Sequence, residues 1–291
     1  MAEKPKIELI WLKRDLRLKD HLPLLKAENA KNPVLLLYIM EPEMEKDEHY
    51  ALRHFRFVAE SLKDLDGQLK AWNTQILRLH CPAKKAFQLL ASHFKIQSVC
   101  SYCETGIRLT YDRDLQTKKF FISENIPWIE YPSNGVQRGR INRKGWKKDW
   151  YALMSSPIAA NDLSRIPFLP KDEIDRLSEA MPFWDCSVYE ADHSMQRGGE
   201  SNAKKYLYSF LEDRHRFYSA SISKPKASRK ACSRLSPYLA WGNLSIRQVY
   251  QAGVQRKKTS GSKRALTAFL SRLRWHCHFI QKFEMECHME F

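Results

Sequence analysis

Ser233 and Ser236 flank Arg234 and Leu235 and stand just before Pro237. Two hydroxyls at the mouth of a helix that opens on proline are the parts of an anion cradle. Proline suits a first helical turn because its missing N–H needs no partner there. The other free N–H groups and the positive end of the helix dipole attract phosphate, and the hydroxyls add donors. Gly242 and Asn243 can end that short helix, and Ser245 can cap the next. The same composition also builds an ordinary pair of capped helices. Local physics leaves the two readings equal.

A second group follows two apolar runs. Arg14, Asp15 and Arg17 come after a run ending at Leu12, and Glu104, Thr105 and Gly106 after one ending at Tyr102. Open α/β sheets bind ligands beyond the carboxyl ends of their strands, so a nucleotide-like or pterin-like ligand could dock there. The plainer reading, which carries more weight for the arginines, pairs Asp15 with Arg14 or Arg17 to fix the loop. Cys100 and Cys103 have C-x-x-C spacing, but a single pair is half a tetrahedral zinc site. They stand at a strand end and read as ordinary thiols. His276, His278, Cys287 and His288 fall on more than one face of a continuous helix, so no metal site is expected from them.

The charge balance names a class of partner. With 49 Lys and Arg against 33 Asp and Glu, the net charge is +16, which favours a polyanion because each neutralised phosphate releases a counterion. The cations gather at Arg138, Arg140, Lys147 and Lys148, across residues 224–230, at Arg256, Lys257 and Lys258, and from Lys263 and Arg264 to Arg272 and Arg274. Any one cluster can be a solvated face. Interleaved with Trp146, Trp150, Trp241 and Trp275, together they point to nucleic acid, with DNA as the expected partner. The longest apolar run, residues 33–40, is strand length and cannot span a bilayer. No apolar leader opens the chain, and seven cysteines are an odd number for a disulfide framework. A soluble cytoplasmic protein without a membrane partner is expected, with nucleus or organelle left open for a eukaryotic source.

These groups need a scaffold. Residues 7–12, 34–40, 75–79, 96–102 and 127–131 are short and nearly all Val, Ile, Leu or aromatic, as strands buried on both faces are. Helical patterns fill 22–30, 53–71, 83–94 and 111–123, and Phe55, Val58, Leu62, Leu65 and Leu69 form one stripe. This alternation predicts α/β architecture: a doubly wound parallel sheet with right-handed crossovers. Residues 155–194 carry prolines and little period, which predicts a connection between domains. Helical patterns resume at Ala203, with Ser201 or Asn202 as the cap, and continue over 237–241, 245–254 and 262–286.

The string Trp11-Leu12-Lys13-Arg14-Asp15-Leu16-Arg17-Leu18 resembles the opening signature of the photolyase/cryptochrome flavoproteins. Cys232-Ser233-Arg234-Leu235-Ser236-Pro237 resembles that family's flavin-pyrophosphate segment, and residues 198–203 resemble the start of its helical domain. The resemblance implies an α/β antenna domain over 1–135, a linker over 136–197 and part of an all-helical FAD-binding domain over 198–291. It implies that Tyr218, Cys232, Ser233, Arg234, Leu235, Ser236, Phe269 and His276 bind FAD. Arg272 and Trp275 would meet DNA, the tryptophan stacking on an extruded pyrimidine dimer. Glu104 would touch a folate- or deazaflavin-type antenna, although Cys103 replaces the asparagine that folate-using relatives carry before that glutamate.

The implied activity is light-driven repair of pyrimidine dimers by electron transfer from reduced flavin. No catalytic residue is assigned within the chain, because the family's flavin-ring contacts and tryptophan relay would fall beyond Phe291. The chain is therefore expected to be truncated, to lack full activity as a lyase, and to associate through an uncovered helix face. Two departures matter for chemistry. Arg272 replaces a carboxylate of dimer-repairing relatives and cannot accept hydrogen bonds from a base. His276 replaces an arginine. Both lean toward a cryptochrome-type blue-light photoreceptor, with a flavin-free basic nucleic-acid-binding fragment as the remaining alternative.

Overall fold

All seven residues from Val34 to Met40 are buried, as a central strand covered by helices on both faces must be. In the computed structural model, which describes residues 3–189 and 192–291, this strand belongs to a five-stranded sheet. The strands are β1 (Lys6–Leu12), β2 (Val34–Met40), β3 (Leu77–His80), β4 (Lys95–Tyr102) and β5 (Trp128–Tyr131). Every pairing is parallel, in the order β3-β2-β1-β4-β5. Ile10 pairs with Leu36 on one side and Cys100 on the other. The chain runs outward from β1 through β2 and β3, then restarts at β4, so the order reverses between β1 and β4.

The helices in chain order are α1 (Leu22–Ala27), α2 (Pro42–Lys46), α3 (Leu52–Leu69), α4 (Ala83–His93), α5 (Arg108–Ser123), α6 (Trp146–Ser155), α7 (Lys171–Ala180), α8 (Glu200–Glu212), α9 (Tyr218–Ser221), α10 (Pro225–Ala231), α11 (Ser236–Ala240), α12 (Ile246–Thr259) and α13 (Lys263–Met285). Among the described residues no helix is long and apolar enough to cross a membrane.

The chain divides into two compact units: residues up to Tyr131 with Ala159–Gly199, and Pro132–Ile158 with Glu200–Phe291. The first is the expected doubly wound α/β unit. Phe55, Val58, Leu62, Leu65 and Leu69 are buried along α3. Trp11, Leu35, Leu37, Phe87, Leu90 and Phe121 belong to one core cluster with Ile174 and Leu177 from α7 and Met181 just after it.

Residues 136–197, expected as linker, are shared between the two units and hold α6 and α7. The prolines that hid α7 align its flanks instead. The Val34 N–H donates to the Pro167 carbonyl (2.8 Å), and the His80 N–H donates to that of Pro182 (2.7 Å), so this stretch lines two strands.

The second unit is helical. Phe210 on α8 lies 4.6 Å from Phe269 on α13, ring to ring. Trp150 on α6 meets Tyr250 on α12 edge-on at 5.3 Å. At Gly253 a β-carbon would come within 2.9 Å of Leu270, so glycine sets how closely α12 approaches α13. Ser245 caps α12 as expected, its hydroxyl accepting from the Gln248 N–H (3.0 Å) while the Gln248 side-chain oxygen accepts from the Ser245 N–H (2.8 Å). Ser201 and Asn202 are not caps, because α8 already begins at Glu200.

Two glycines make opposite test cases. A β-carbon at Gly198 would collide with the Phe57 carbonyl oxygen and the Ser61 hydroxyl, whereas Gly67 in α3 faces open space. Gly198→Ala is expected to destabilise by about 1–3 kcal/mol through overpacking. Gly67→Ala is expected to stabilise by about 0.5–1 kcal/mol. Urea denaturation of both variants checks the pair.

Candidate functional site

At the sheet's reversal point, side chains from four elements meet at the carboxyl edge. Lys13 and Arg14 follow β1, Glu41 follows β2, Glu104 follows β4, and Arg113 and Asp114 lie on α5. Lys13 Nζ is 3.1 Å from Asp114, and Arg113 reaches Asp114 (2.9 Å), Glu41 (3.2 Å) and Glu104 (3.4 Å). Arg14 lies 3.0 Å from Glu104 and donates to the Tyr50 hydroxyl (3.0 Å). The Trp11 ring lies below both the Lys13 ammonium (4.3 Å) and the Arg113 guanidinium (5.0 Å).

The loop pairing differs from the one expected. Asp15 accepts from the Lys13 N–H (2.7 Å) and pairs with His21 (2.7 Å). Arg17 caps the Asp20 carbonyl (3.0 Å). Arg17, one of the two expected partners, still adds an attractive charge to Asp15, while Arg14, the other, turns to Glu104. Glu104, the residue expected at the antenna, faces Arg14 and Arg113.

Burial and pairing compete over each charge. Burial alone would lower the Arg113 pKa, but Asp114, Glu41 and Glu104 together hold it above the ordinary value. Burial would raise Asp114, yet Arg113 and Lys13 keep it below the usual carboxylate range. At Glu41 burial wins over Arg113 and the pKa is raised. Arg113→Met is expected to destabilise by about 3–5 kcal/mol, since it strands buried carboxylates. Combining it with Glu41→Gln should recover part of that loss in urea denaturation, because Lys13 and Arg14 still serve Asp114 and Glu104.

In the helical unit, residues from separate segments converge. Tyr218 opens α9 and is buried, its ring edge-on to Phe210 (5.7 Å) and to Phe269 (5.8 Å). Burial pushes its phenol up to about 12; Cys232 adds to that and Arg272 opposes it. Tyr218, Cys232 and Arg272 therefore share one electrostatic neighbourhood.

The expected phosphate segment follows α10. Arg234 has φ +62°, the left-handed region that turns the chain before α11. Leu235 is buried, and Ser236 is exposed where α11 begins. Arg214, which the sequence gave no reason to single out, holds the segment from behind. Its guanidinium donates to the carbonyls of Cys232, Ser233 (3.5 Å) and Tyr206 (2.8 Å). No described residue engages the hydroxyls of Ser233 or Ser236, and both remain as donors.

On α13, Arg272 and Trp275 are exposed. His276 has a buried Nε2 with no hydrogen-bond partner among the described residues. The other tryptophans expected to interleave with the cations are not surface groups: Trp146, Trp150 and Trp241 are buried. Large apolar rings fill helix contacts before they serve a surface.

Burial lowers the His276 pKa below its ordinary value, so the folded state favours the neutral ring. As pH falls through the ordinary histidine range, the unfolded chain binds the proton first and stability declines. His276→Gln removes that linkage. A flatter dependence of the melting temperature on pH, between about 8 and 5, is expected for the variant.

Residues 8–145 match the family model described as DNA photolyase. A (6-4)DNA photolyase of Arabidopsis thaliana is 25% identical over 272 residues, spanning 84% of this chain and 48% of that protein. Cryptochrome-1 of Sinapis alba is 26% identical over 263 residues, spanning 84% of this chain and 51% of that protein. The cryptochrome structure from Synechocystis sp. PCC6803 superposes with a TM-score of 0.76 at 19% identity, covering 98% of this chain and 62% of that one. This chain spans about half the length of these two curated relatives.

Proposed function

Because the chain belongs to the photolyase/cryptochrome family, we propose that its helical unit binds FAD and that its ancestry lies in light-driven repair of DNA. The observation that carries this is the convergence of Tyr218, Cys232 and Phe269, three residues expected to bind FAD, from three separate segments. The residues present also fit the cofactor. Ser233 and Ser236 keep their hydroxyls unengaged, Arg214 turns the neighbouring carbonyls away, and the His276 Nε2 is buried without a partner. The exposed Ser236 hydroxyl and the half-buried Ser233 hydroxyl can turn to donate to an anionic ligand.

When bound, FAD supplies light-driven electron transfer, and the chain's part is binding, orientation and exclusion of water. Ser233 and Ser236 would hold the pyrophosphate with the backbone N–H groups at the start of α11. Tyr218 and Phe269 would wall the cavity. Arg272 and Trp275, both exposed on α13, would face the nucleic acid.

A second reading has its own support. Arg272 places a cation where dimer repair by the family's chemistry calls for an acceptor, and His276 is kept neutral by burial. That arrangement favours a photoreceptor that binds flavin and signals without repairing.

The deciding experiment follows the flavin absorption of dark-purified protein through gel filtration, before and after adding FAD. Retained flavin bands are expected, with Ser233→Ala weakening retention roughly tenfold, the value of one charge-assisted hydrogen bond. A spectrum of tryptophan and tyrosine alone, unchanged by added FAD, would sink the flavin reading. With flavin retained, light-dependent loss of thymine dimers supports the repair reading, and photoreduction without repair supports the photoreceptor.

A further inference from the structure

In the α/β unit, α5 carries apolar side chains on two faces. Thr110, Asp114, Thr117, Phe120 and Phe121 are buried. On the outward side Tyr111 is 45% exposed, Leu115 42% and Ile122 68%. We propose that this outward seam docks one amphipathic helix of a partner protein, its apolar side on Tyr111, Leu115 and Ile122 and its carboxylates on the lysines of α4 and α5. The surface needs neither flavin nor nucleic acid, so it stands or falls separately from the flavin reading.

The spacing selects a helix as occupant. Arg108, Tyr111, Leu115, Lys118 and Ile122 follow one another at steps of three, four, three and four. Those are the a and d positions of a coiled-coil seam. A surface helix needs one apolar stripe to hold it to its own domain. Phe121 supplies that stripe, meeting Phe87 on α4 at 4.7 Å and Trp128 on β5 at 5.4 Å. The outward stripe is surplus to the fold. α5 has 16 residues, about 24 Å of length, which is enough to seat a helix of about four turns.

The charges select an acidic one. Lys118 and Lys119 are exposed on α5, and Lys84 and Lys85 are exposed on α4. Both helices follow parallel strands and run in the same direction. Lys84 and Lys118 each precede by three residues the rings that meet, Phe87 and Phe121, so the lysines stand at one level. Among the described residues no carboxylate pairs with any of these lysines. α4 contains no acidic residue, and those of α5 are committed: Asp112 to Arg108 (2.8 Å), and Asp114 to Lys13 (3.1 Å) and Arg113 (2.9 Å). Uncompensated cations beside an apolar seam favour a partner with carboxylates flanking its own apolar stripe.

Other occupants fit less well. In a symmetric pair of copies the seam meets itself, which sets Lys118 and Lys119 against their own counterparts. A bilayer takes up a helix sunk about 5–10 Å into its headgroup boundary, whereas the inner face of α5 is held to the sheet. A nucleic acid would use the lysines and leave the apolar seam in water.

The test is fluorescence anisotropy with the whole chain and a fluorescein-labelled, stapled synthetic helix of about 21 residues, with leucine at a and d and glutamate at e and g. Micromolar binding is expected, as for a small transient interface. Ile122→Ser should weaken it about tenfold by removing an apolar anchor. The same variant should keep the melting temperature, because Ile122 is exposed in the free protein. Lys118→Gln combined with Lys119→Gln should flatten the salt dependence, and Lys31→Gln, an exposed change before β2, should leave affinity and salt dependence alone.

No binding of the helix, equal binding of a scrambled peptide of the same composition, or indifference to Ile122→Ser would each overturn the proposal. Three further results would replace it. Ile122-dependent sedimentation with phosphatidylserine vesicles in place of peptide binding assigns the seam to a membrane. An Ile122-dependent dimer in gel filtration assigns it to a second copy, and displacement of the peptide by duplex DNA assigns it to nucleic acid. Peptide binding by protein that takes up no FAD would leave this surface standing while the flavin reading falls.

Discussion

Arg113 is the charge on which the α/β unit depends. Withdrawing an ion from water costs several kcal/mol even after relaxation, and the carboxyl edge of this sheet withdraws a whole cluster. Such a cluster survives only if each member faces opposite charge at hydrogen-bond distance. Arg113 does this for Glu41, Glu104 and Asp114 together, so the ends of β2 and β4 are tied to α5 through one guanidinium. Its planar fork explains why arginine stands here, since a lysine ammonium has no comparable spread of donors. The Trp11 ring beneath it adds an apolar floor that also excludes water. The reversal point of the sheet is thus rigid on account of charge as well as packing.

The helical unit solves a different problem. Carbonyl oxygens are acceptors and repel an anion, so the direction in which those of Cys232 and Ser233 face decides what the segment can present. Arg214 turns those carbonyls to itself, and the left-handed residue at Arg234 brings the chain round into α11. Tyr218 meets Phe210 and Phe269 edge-on, a geometry in which ring edges meet ring faces, while Phe210 and Phe269 are tilted against each other.

Much of the α/β unit was legible in the sequence, because strands buried on both faces read as unbroken apolar runs. β2 has the bounds its composition predicts, and α3 shows the stripe that buries it. Pairings were less legible. The partner of Asp15 is His21, and Arg14 turns to Glu104, since what meets in space follows side-chain direction and crossover, not adjacency. α7 was hidden by prolines that end its neighbours without disturbing its own Ile174 and Leu177. In the helical unit the Ser245 cap could be read from local chemistry, whereas α8 starts before the caps expected at Ser201 or Asn202. Arg214 could not be read, because an arginine acting on carbonyls eighteen residues away leaves no local signature.

Net charge is the weakest of the sequence signals until it is resolved into partners. Arg138 and Arg140 look equivalent to Arg143 and Lys147 in composition, yet the first two are spent on Glu284 and Asp149. A paired surface cation contributes little field beyond its own contact, because the dipole it forms decays faster than a lone charge and salt screens the remainder. The field that a polyanion meets is set by cations whose partners are neutral. In this unit those are the cations held by a hydroxyl or a neutral imidazole beside Trp275. The same distinction separates the tryptophans. Trp146 is committed to the interior and Trp275 is not, although the sequence gives both an equally basic neighbourhood. Uncompensated cations and an exposed ring coincide on this surface, a coincidence that composition alone could never locate.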